Sequence, residues 1–454
     1  MATLAAMLKR KGLAVRGSDH DVYPPMSTLL EREGIPILNG YDARHITTDL
    51  DLVIVGNAIS RGNPELEEVL DRKIRYCSLP EAVREHFLCG ARSIVVAGTH
   101  GKTTTTALAG WLLVHAGLDP SVLVGGVAAN LGEGGASYRL GHGRDFVIEG
   151  DEYDSAFFDK TAKFLKYLPD IAVIANIEFD HADIYEDIDA VRLAFRRLAN
   201  LVPRSGLLLL GADSPDAAAL SAAARSRVET FGLAEGAGWL AYDLSSSPAG
   251  MTFRVQHRGV PLGVFEIPMP GSHNVKNALA AMAIAAEVGV DAGTMRGGLL
   301  SFAGVKRRLE TVGSVRGVTV LDDFAHHPTA VGETIRAVRA RYPGRRIVAV
   351  FEPRSNTSRR KVFQREFTAA LSEADEVILA GVFGAEKIPA HERLSPGEVV
   401  AELCASGRPA QVIPEVDGIV SRLAETCRQG DLILIMSNGG FGGIQEKLKT
   451  ALSP

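Results

Sequence analysis

Lys102 closes the run Gly98-Thr99-His100-Gly101-Lys102 and is followed by Thr103, Thr104, Thr105 and Thr106. Glycines let backbone N–H groups approach phosphate oxygens, a lysine reaches terminal phosphates, and a hydroxyl just after it can ligate magnesium. The flanks suit that chemistry. Ile94 to Ala97 read as an apolar strand, and Leu108, Trp111, Leu112 and His115 fall on one side of a following helix that ends at Gly117. The helix N-terminus would add positive potential. The common nucleotide-loop spacing asks for glycine at position 96, where this chain has Val96. The strand and helix on either side carry the assignment instead. Candidate nucleotide contacts are Gly98, Thr99, His100, Gly101, Lys102, Thr103 and Thr104, with ATP and Mg²⁺ as the implied ligands.

Further polar constellations recur at the ends of apolar strands, where open α/β sheets bind ligands. Glu149-Gly-Asp-Glu-Tyr-Asp154 offers carboxylates, and Mg²⁺ takes few protein ligands, of hard oxygen. The competing reading is a solvated acidic loop. Asn176-Ile-Glu-Phe-Asp-His-Ala-Asp183 places His181 between Asp180 and Asp183, a second cation site or a capped turn. Gly271-Ser-His-Asn-Val-Lys-Asn277 opens a helix; Asn274 and Asn277 could read an adenine edge, since an amide matches adenine's donor and acceptor, or could simply cap. Lys306-Arg-Arg308 places an arginine where a developing phosphoryl charge could be met. Asp322-Asp-Phe-Ala-His-His-Pro328 suggests zinc, but adjacent histidines are a poor ligand pair and no cysteine joins them, so nucleotide contacts across a cleft are expected. Glu352-Pro-Arg-Ser-Asn-Thr357 and Ser437-Asn-Gly-Gly-Phe-Gly-Gly443 lie where a third ligand would bind.

Those loops need a frame. The chain has 454 residues, 46% hydrophobic and 23% charged, which suits about three soluble domains. A net charge of −5 gives no support for a nucleic-acid binder. Cys77, Cys89, Cys404 and Cys427 form no CxxC pair, which fits a reducing cytoplasm. No apolar run reaches the roughly 18 residues of a membrane span. Apolar strands at Gly12–Gly17, 51–55, 146–149, 171–175, 207–210, 318–321, 347–351, 377–380, 411–413 and 432–436 alternate with helices such as 3–11, 64–72 and 274–288. The pattern implies α/β domains with parallel sheets covered on both faces. Expected boundaries are 1–91, 92–312 and 313–454. A dinucleotide-type first domain should open with a strand and a glycine turn. This chain begins inside the helix, so the first strand and its glycines are expected to be missing.

With these residues assembled, the chain resembles the Mur ligases, the ATP-dependent amide-forming family of peptidoglycan assembly, over essentially its whole length. Gly-Thr-His-Gly-Lys-Thr-Thr-Thr at 98–105 is similar to that family's phosphate loop. The 176–183 and 322–328 segments resemble the branch that uses UDP-N-acetylmuramate. The 352–357 and 437–443 segments resemble members that take the tripeptide L-Ala-γ-D-Glu-meso-diaminopimelate; members that add free L-alanine are the alternative. The resemblance implies a Rossmann-like UDP-sugar domain, a central ATPase-like domain and a Rossmann-like peptide domain. It implies an acyl-phosphate mechanism, with Lys102, His181 and Arg308 as catalytic residues and Thr103, Glu149 and His181 placing magnesium. Asn274, Asn277, Arg308, Asp323 and His326 would contact the nucleotide. Substrate contacts would fall to Ser18, Asp19, Asn57, Ser60, Asn130, Glu152, Arg354, Ser355, Asn356, Thr357 and Asn438. A monomer or weak dimer without membrane insertion is expected. Many relatives carry a carbamylated lysine beyond the His181 position; no lysine lies between Lys166 and Lys276 here, which agrees with the muramate branch. More distant alternatives are a folylpolyglutamate-type synthetase and a nucleotide-binding module without chemistry.

Overall fold

The computed structural model describes residues 1–453. A ten-stranded sheet dominates it. From one edge the order is Val260–Ile267, Gly250–His257, Trp239–Ser247, Arg227–Gly232, Leu207–Gly211, Ile171–Ile174, Arg92–Ala97, Asp145–Gly150, Ser121–Ala128 and Ala136–Arg139. From Ser121–Ala128 to Trp239–Ser247 neighbouring strands run parallel. The strand Arg92–Ala97 shows why. Ile94 and Val96 bury themselves in one core, while Val95 and Ala97 enter the other. Alternate residues of a strand face opposite sides, so a strand buried on both faces must be apolar throughout.

The helix Lys102–His115 leaves this strand through the glycine run and packs on the helix Ser272–Glu287. Thr103 to Gly110 are all buried, which explains the weak amphipathic pattern of its sequence: it is covered on nearly every side. Gly101 and Gly98 have φ of +80° and +135°. A Cβ on Gly101 would lie 2.4 Å from Asn277 Oδ1, and one on Gly98 would lie 3.1 Å from two backbone nitrogens, Ala175 and Asn176. The loop therefore needs glycine for its backbone and for the close approach of its neighbours.

Residues before 92 form two separate parallel pairs, Gly17–Asp19 on Ile37–Asn39 and Val53–Val55 on Tyr76–Ser78. The strand expected at 12–17 is thus confined to Gly17–Asp19. The helices Ala2–Arg10 and Pro64–Asp71 fall where expected. A six-stranded sheet has the order Glu310–Val315, Val318–Asp323, Leu432–Met436, Ile347–Phe351, Glu376–Leu379 and Ala410–Val412. Its first strand is antiparallel and the rest are parallel. That edge strand begins at Glu310, so the sheet crosses the boundary expected at 312/313. No helix is long and apolar enough to cross a membrane.

The antiparallel extension from Trp239 to Ile267 has no counterpart in the sequence-based reading. Its strands alternate polar and apolar residues, as in Gly250–His257, where Met251, Phe253 and Val255 are buried and Arg254 is exposed. Such half-covered strands differ from the continuous apolar runs that marked the parallel core.

Gly101→Ala should combine backbone strain of about 1–2 kcal/mol with displacement of Asn277. Gly117→Ala has a similar φ of +75° and nothing within 4 Å, so it isolates the strain. In urea titrations with ATP calorimetry alongside, both variants should lose stability, and only Gly101→Ala should lose nucleotide affinity by at least about tenfold.

Candidate active site

The strand Arg92–Ala97 and its neighbours Asp145–Gly150 and Ile171–Ile174 end side by side, and each end delivers one group. Lys102 Nζ donates to the carbonyls of Gly98 at 2.7 Å and Thr99 at 3.1 Å, and to Glu152 Oε1 at 2.9 Å. The ring of His181 donates from Nε2 to the same Glu152 oxygen at 2.9 Å. Glu152 is 2% exposed. A carboxylate so buried requires close cations, and here it receives one from the nucleotide loop and an imidazole from the next strand end. Burial alone would lower the Lys102 pKa, but Glu152, Asp151 and Glu149 outweigh it and raise it. Burial likewise opposes protonation of His181, and Glu152 with Asp180 reverses the direction. The expected substrate residue Glu152 is therefore placed as the link between the two expected catalytic residues.

Glu149 forms a second cluster. Thr103 Oγ1 donates to Glu149 Oε1 at 2.9 Å, and the Gly125 N–H donates to Oε2 at 2.7 Å. Arg308 Nη2 donates to Thr103 Oγ1 at 3.1 Å. Burial raises the Glu149 pKa, against the pull of the Gly125 N–H and Lys102. Thr103 and Glu149 supply hard oxygens that suit Mg²⁺. The ring of His181 faces Glu152 and not this pair. Gly125 was not anticipated; the Gly125-Gly126 pair inside a strand was the available signal, since a Cβ there would lie 2.9 Å from Glu149 Oε2.

Beside this cluster lies a cavity of about 290 Å³ lined in part by Thr104, Asn176, His273, Asn277, Arg308 and Asp323. Asn277 and Asn274 belong to it as expected, although Asn274 Nδ2 also donates to the Pro270 carbonyl and Asn277 accepts from Thr105. Asp323 lines the cavity, and its carboxylate also fixes the polypeptide by accepting from the N–H groups of Leu309 and Ala325 and from the Thr334 hydroxyl. One expectation changes. His326 turns Nδ1–H to the Phe324 carbonyl and does not line the cavity. His273, three residues from Lys276 on the same helix, lines it and was not anticipated.

The third domain is docked on this site. Thr357 Oγ1 donates to Asp180 at 2.6 Å and accepts from the His181 backbone N–H at 3.0 Å. Asn356 Nδ2 donates to Asp183 at 2.7 Å. These two residues, expected on substrate, hold the 180–183 turn, where His181 has φ +56°. Ser355 bonds to Ser358 within its own loop. Arg354 lies with its guanidinium 3.7 Å from the centre of the Phe383 ring and 3.5 Å from Glu352. It also covers Gly439, where a Cβ would lie 2.0 Å from its Nε. Asn438 keeps a buried Oδ1 without a hydrogen-bond partner beside this group.

The remaining expected substrate residues have local partners. Ser18 donates to Glu65, and Asp19 accepts from His20 N–H and the Tyr41 hydroxyl. Asn57 donates to Asp154 at 3.1 Å, tying the first domain to the second. Ser60 is exposed. Asn130 is corrected most clearly: it donates to the Ser301 carbonyl and accepts from the Ala303 N–H, holding one loop to another. Asn176 and Asp180, unassigned individually from sequence, organise the site. Asn176 brackets the His100 peptide at both N–H and carbonyl.

Three family models match in chain order: the Mur ligase family catalytic domain at residues 1–88, the Mur ligase middle domain at 96–285, and the Mur ligase glutamate ligase domain at 307–439. The protein belongs to the Mur ligase family. Within it, the chain is 41% identical over 455 aligned positions to the UDP-N-acetylmuramate–L-alanyl-gamma-D-glutamyl-meso-2,6-diaminoheptandioate ligase of Escherichia coli, covering 100% of this chain and 96% of that one. It is 38% identical to the UDP-N-acetylmuramate–L-alanine ligase of Salinibacter ruber, over 97% and 90% of the two chains. The structure matches a murein peptide ligase from Psychrobacter arcticus with TM-score 0.75 and 36% identity, covering 100% and 96%.

His326 and His327 sit where this domain meets the second. His327 donates from Nε2 to the Phe179 carbonyl. Burial pushes both imidazoles down to about 4, with His100 adding to the effect at His327 while Asp180 and Glu178 oppose it. An unfolded histidine takes its proton near 6.5, so stability present above that pH is lost as pH falls from 6.5 toward 4. Glu178, held down to about 2 by His100 and Thr329 against the effect of burial, weakens only in a lower window, below its unfolded value. His181, raised, works in the opposite direction above 6.5. His327→Asn keeps an N-cap acceptor for Thr329. Urea midpoints between pH 6.5 and 5 should fall with pH in the wild type, and with a shallower slope in His327→Asn.

Proposed function

We infer that the protein is an ATP-dependent ligase that joins the lactyl carboxylate of UDP-N-acetylmuramate to the amino group of L-Ala-γ-D-Glu-meso-diaminopimelate, a reaction of peptidoglycan recycling. What carries this reading is the full-length similarity to the Escherichia coli ligase of that name. The site chemistry supports it. A carboxylate is a poor electrophile, so amide formation needs a leaving group. Transfer of the ATP γ-phosphoryl to the lactyl oxygen gives an acyl phosphate; the tripeptide amine attacks its carbonyl carbon, loses a proton, and inorganic phosphate leaves.

Lys102 would meet charge on the transferring phosphoryl group, and Arg308, bonded to Thr103, would do the same. Thr103 and Glu149 would hold Mg²⁺, which supplies charge neutralisation at phosphate oxygens. Glu152 orients Lys102 and His181 and favours their charged forms. The docked third domain excludes water, which would otherwise hydrolyse the acyl phosphate. Arg354, braced against Phe383, is the group suited to a peptide carboxylate, because guanidinium and carboxylate pair through two parallel hydrogen bonds.

With UDP-N-acetylmuramate and ATP saturating, amide formation with the tripeptide should exceed that with L-alanine by orders of magnitude in kcat/KM. Equal or better use of L-alanine would assign the chain to the other muramate ligase. Arg354→Ala should raise the tripeptide KM at least about tenfold, as loss of a charge-assisted pair does, with the KM for ATP nearly unchanged.

A further inference from the structure

Three side chains converge at the seam between the second and third domains, beside the cavity that His100 and Glu178 also line. His100 comes from the nucleotide loop, Glu178 from the segment after the strand Ile171–Ile174, and His327 from the start of the helix Pro328–Arg341. One ligand atom from each lies within 4.8 Å of the other two. His100 Nε2 is 3.3 Å from Glu178 Oε2, and His327 Nδ1 is 3.6 Å from the same oxygen. Ligands at zinc bond lengths of about 2.0–2.1 Å in tetrahedral array stand about 3.3–3.4 Å apart, so the separations already approach those of a loaded site.

We propose that His100, Glu178 and His327 bind a divalent transition cation of the zinc class and that the ion staples the third domain to the nucleotide loop. The surroundings orient each ligand. His327 gives its Nε2–H to the Phe179 carbonyl, so Nδ1 is its unprotonated nitrogen; it accepts a long bond of 3.4 Å from the Thr329 N–H, which a bound cation would displace. Metal-bound histidines commonly hold a backbone carbonyl with their other nitrogen in this way. Thr329 Oγ1 donates to Glu178 Oε2 at 2.6 Å and fixes the carboxylate. Two imidazoles and one carboxylate favour zinc over magnesium, which prefers oxygen ligands alone. The adjacent-histidine objection raised by the sequence disappears, because His326 turns to the Phe324 carbonyl and only His327 joins the cluster, with partners from other segments.

An ion held by both domains binds their docked arrangement and not the separated one, so it must favour docking. Ligase turnover requires the domains to part for product release, and the bound ion would therefore act as a brake. The site is tested on the full-length protein without nucleotide, using Zn²⁺ alone. Calorimetry in a competing weak chelator should give one zinc per chain, insensitive to millimolar Mg²⁺. Affinity should drop by at least about tenfold in His327→Asn and in Glu178→Gln, as expected when one of three ligands goes. The urea midpoint should rise with zinc in the wild type and not in the variants. Diffraction at the zinc edge should place the anomalous peak among the three residues. Unchanged zinc affinity in both variants, a peak at Glu149 or at Glu152 and His181, or no binding would each overturn the proposal. None of these readouts depends on which peptide the ligase accepts.

Discussion

Glu152 sets the terms for the rest of the site. It is a carboxylate almost wholly withdrawn from water, and it is stable there because Lys102 and His181 reach it from different strand ends. Removing one partner of such a buried set costs about 3–5 kcal/mol, so the three groups stand or fall together. Their meeting depends on strand order. Arg92–Ala97 must lie between Asp145–Gly150 and Ile171–Ile174, and the glycine loop must turn tightly enough to bring Lys102 back over its own carbonyls. Thr357 then reaches the peptide N–H of His181, so the position of the third domain is tied to the same cluster.

Much of this was legible in the sequence. The nucleotide loop, the carboxylates after 149 and the 176–183 turn stand at the ends of strands that are continuously apolar, while the paired asparagines open an apolar helix. Lys102, Thr103, Glu149, His181 and Arg308 were singled out because phosphoryl chemistry asks for such side chains at strand ends, and the fold gathers them at one edge of the sheet, with His181 turned to Glu152. Local partners were not legible. Asp323, Asn130 and Asn356 carry side chains that suit ligands equally well, and only the fold shows that backbone N–H groups or a neighbouring domain already use them. The strands from Trp239 to Ile267 escaped for a different reason. They are half-covered, and alternation broken by bulges leaves a weaker trace than a buried run.

The cleft also shows how one segment can serve two purposes. Residues 352–357 carry Arg354, which is held ready by Phe383 and Glu352. The same loop carries Asn356 and Thr357, which grip the turn around His181. Whatever shifts this loop shifts both the Arg354 guanidinium and the turn that carries His181. If Arg354 receives the acceptor as proposed, acceptor binding and domain closure would be mechanically one event, which is how an enzyme avoids making a reactive intermediate with no acceptor in place.

Gly439 gives this coupling a steric handle. Its missing side chain is the space in which the Arg354 guanidinium lies. Any residue other than glycine at 439 would push that arginine off the Phe383 ring, while Gly439 itself touches nothing of the Thr103–Glu149 cluster. Position 439 therefore governs, through space alone and from a second segment of the chain, where the charged end of Arg354 in the 352–357 loop can rest.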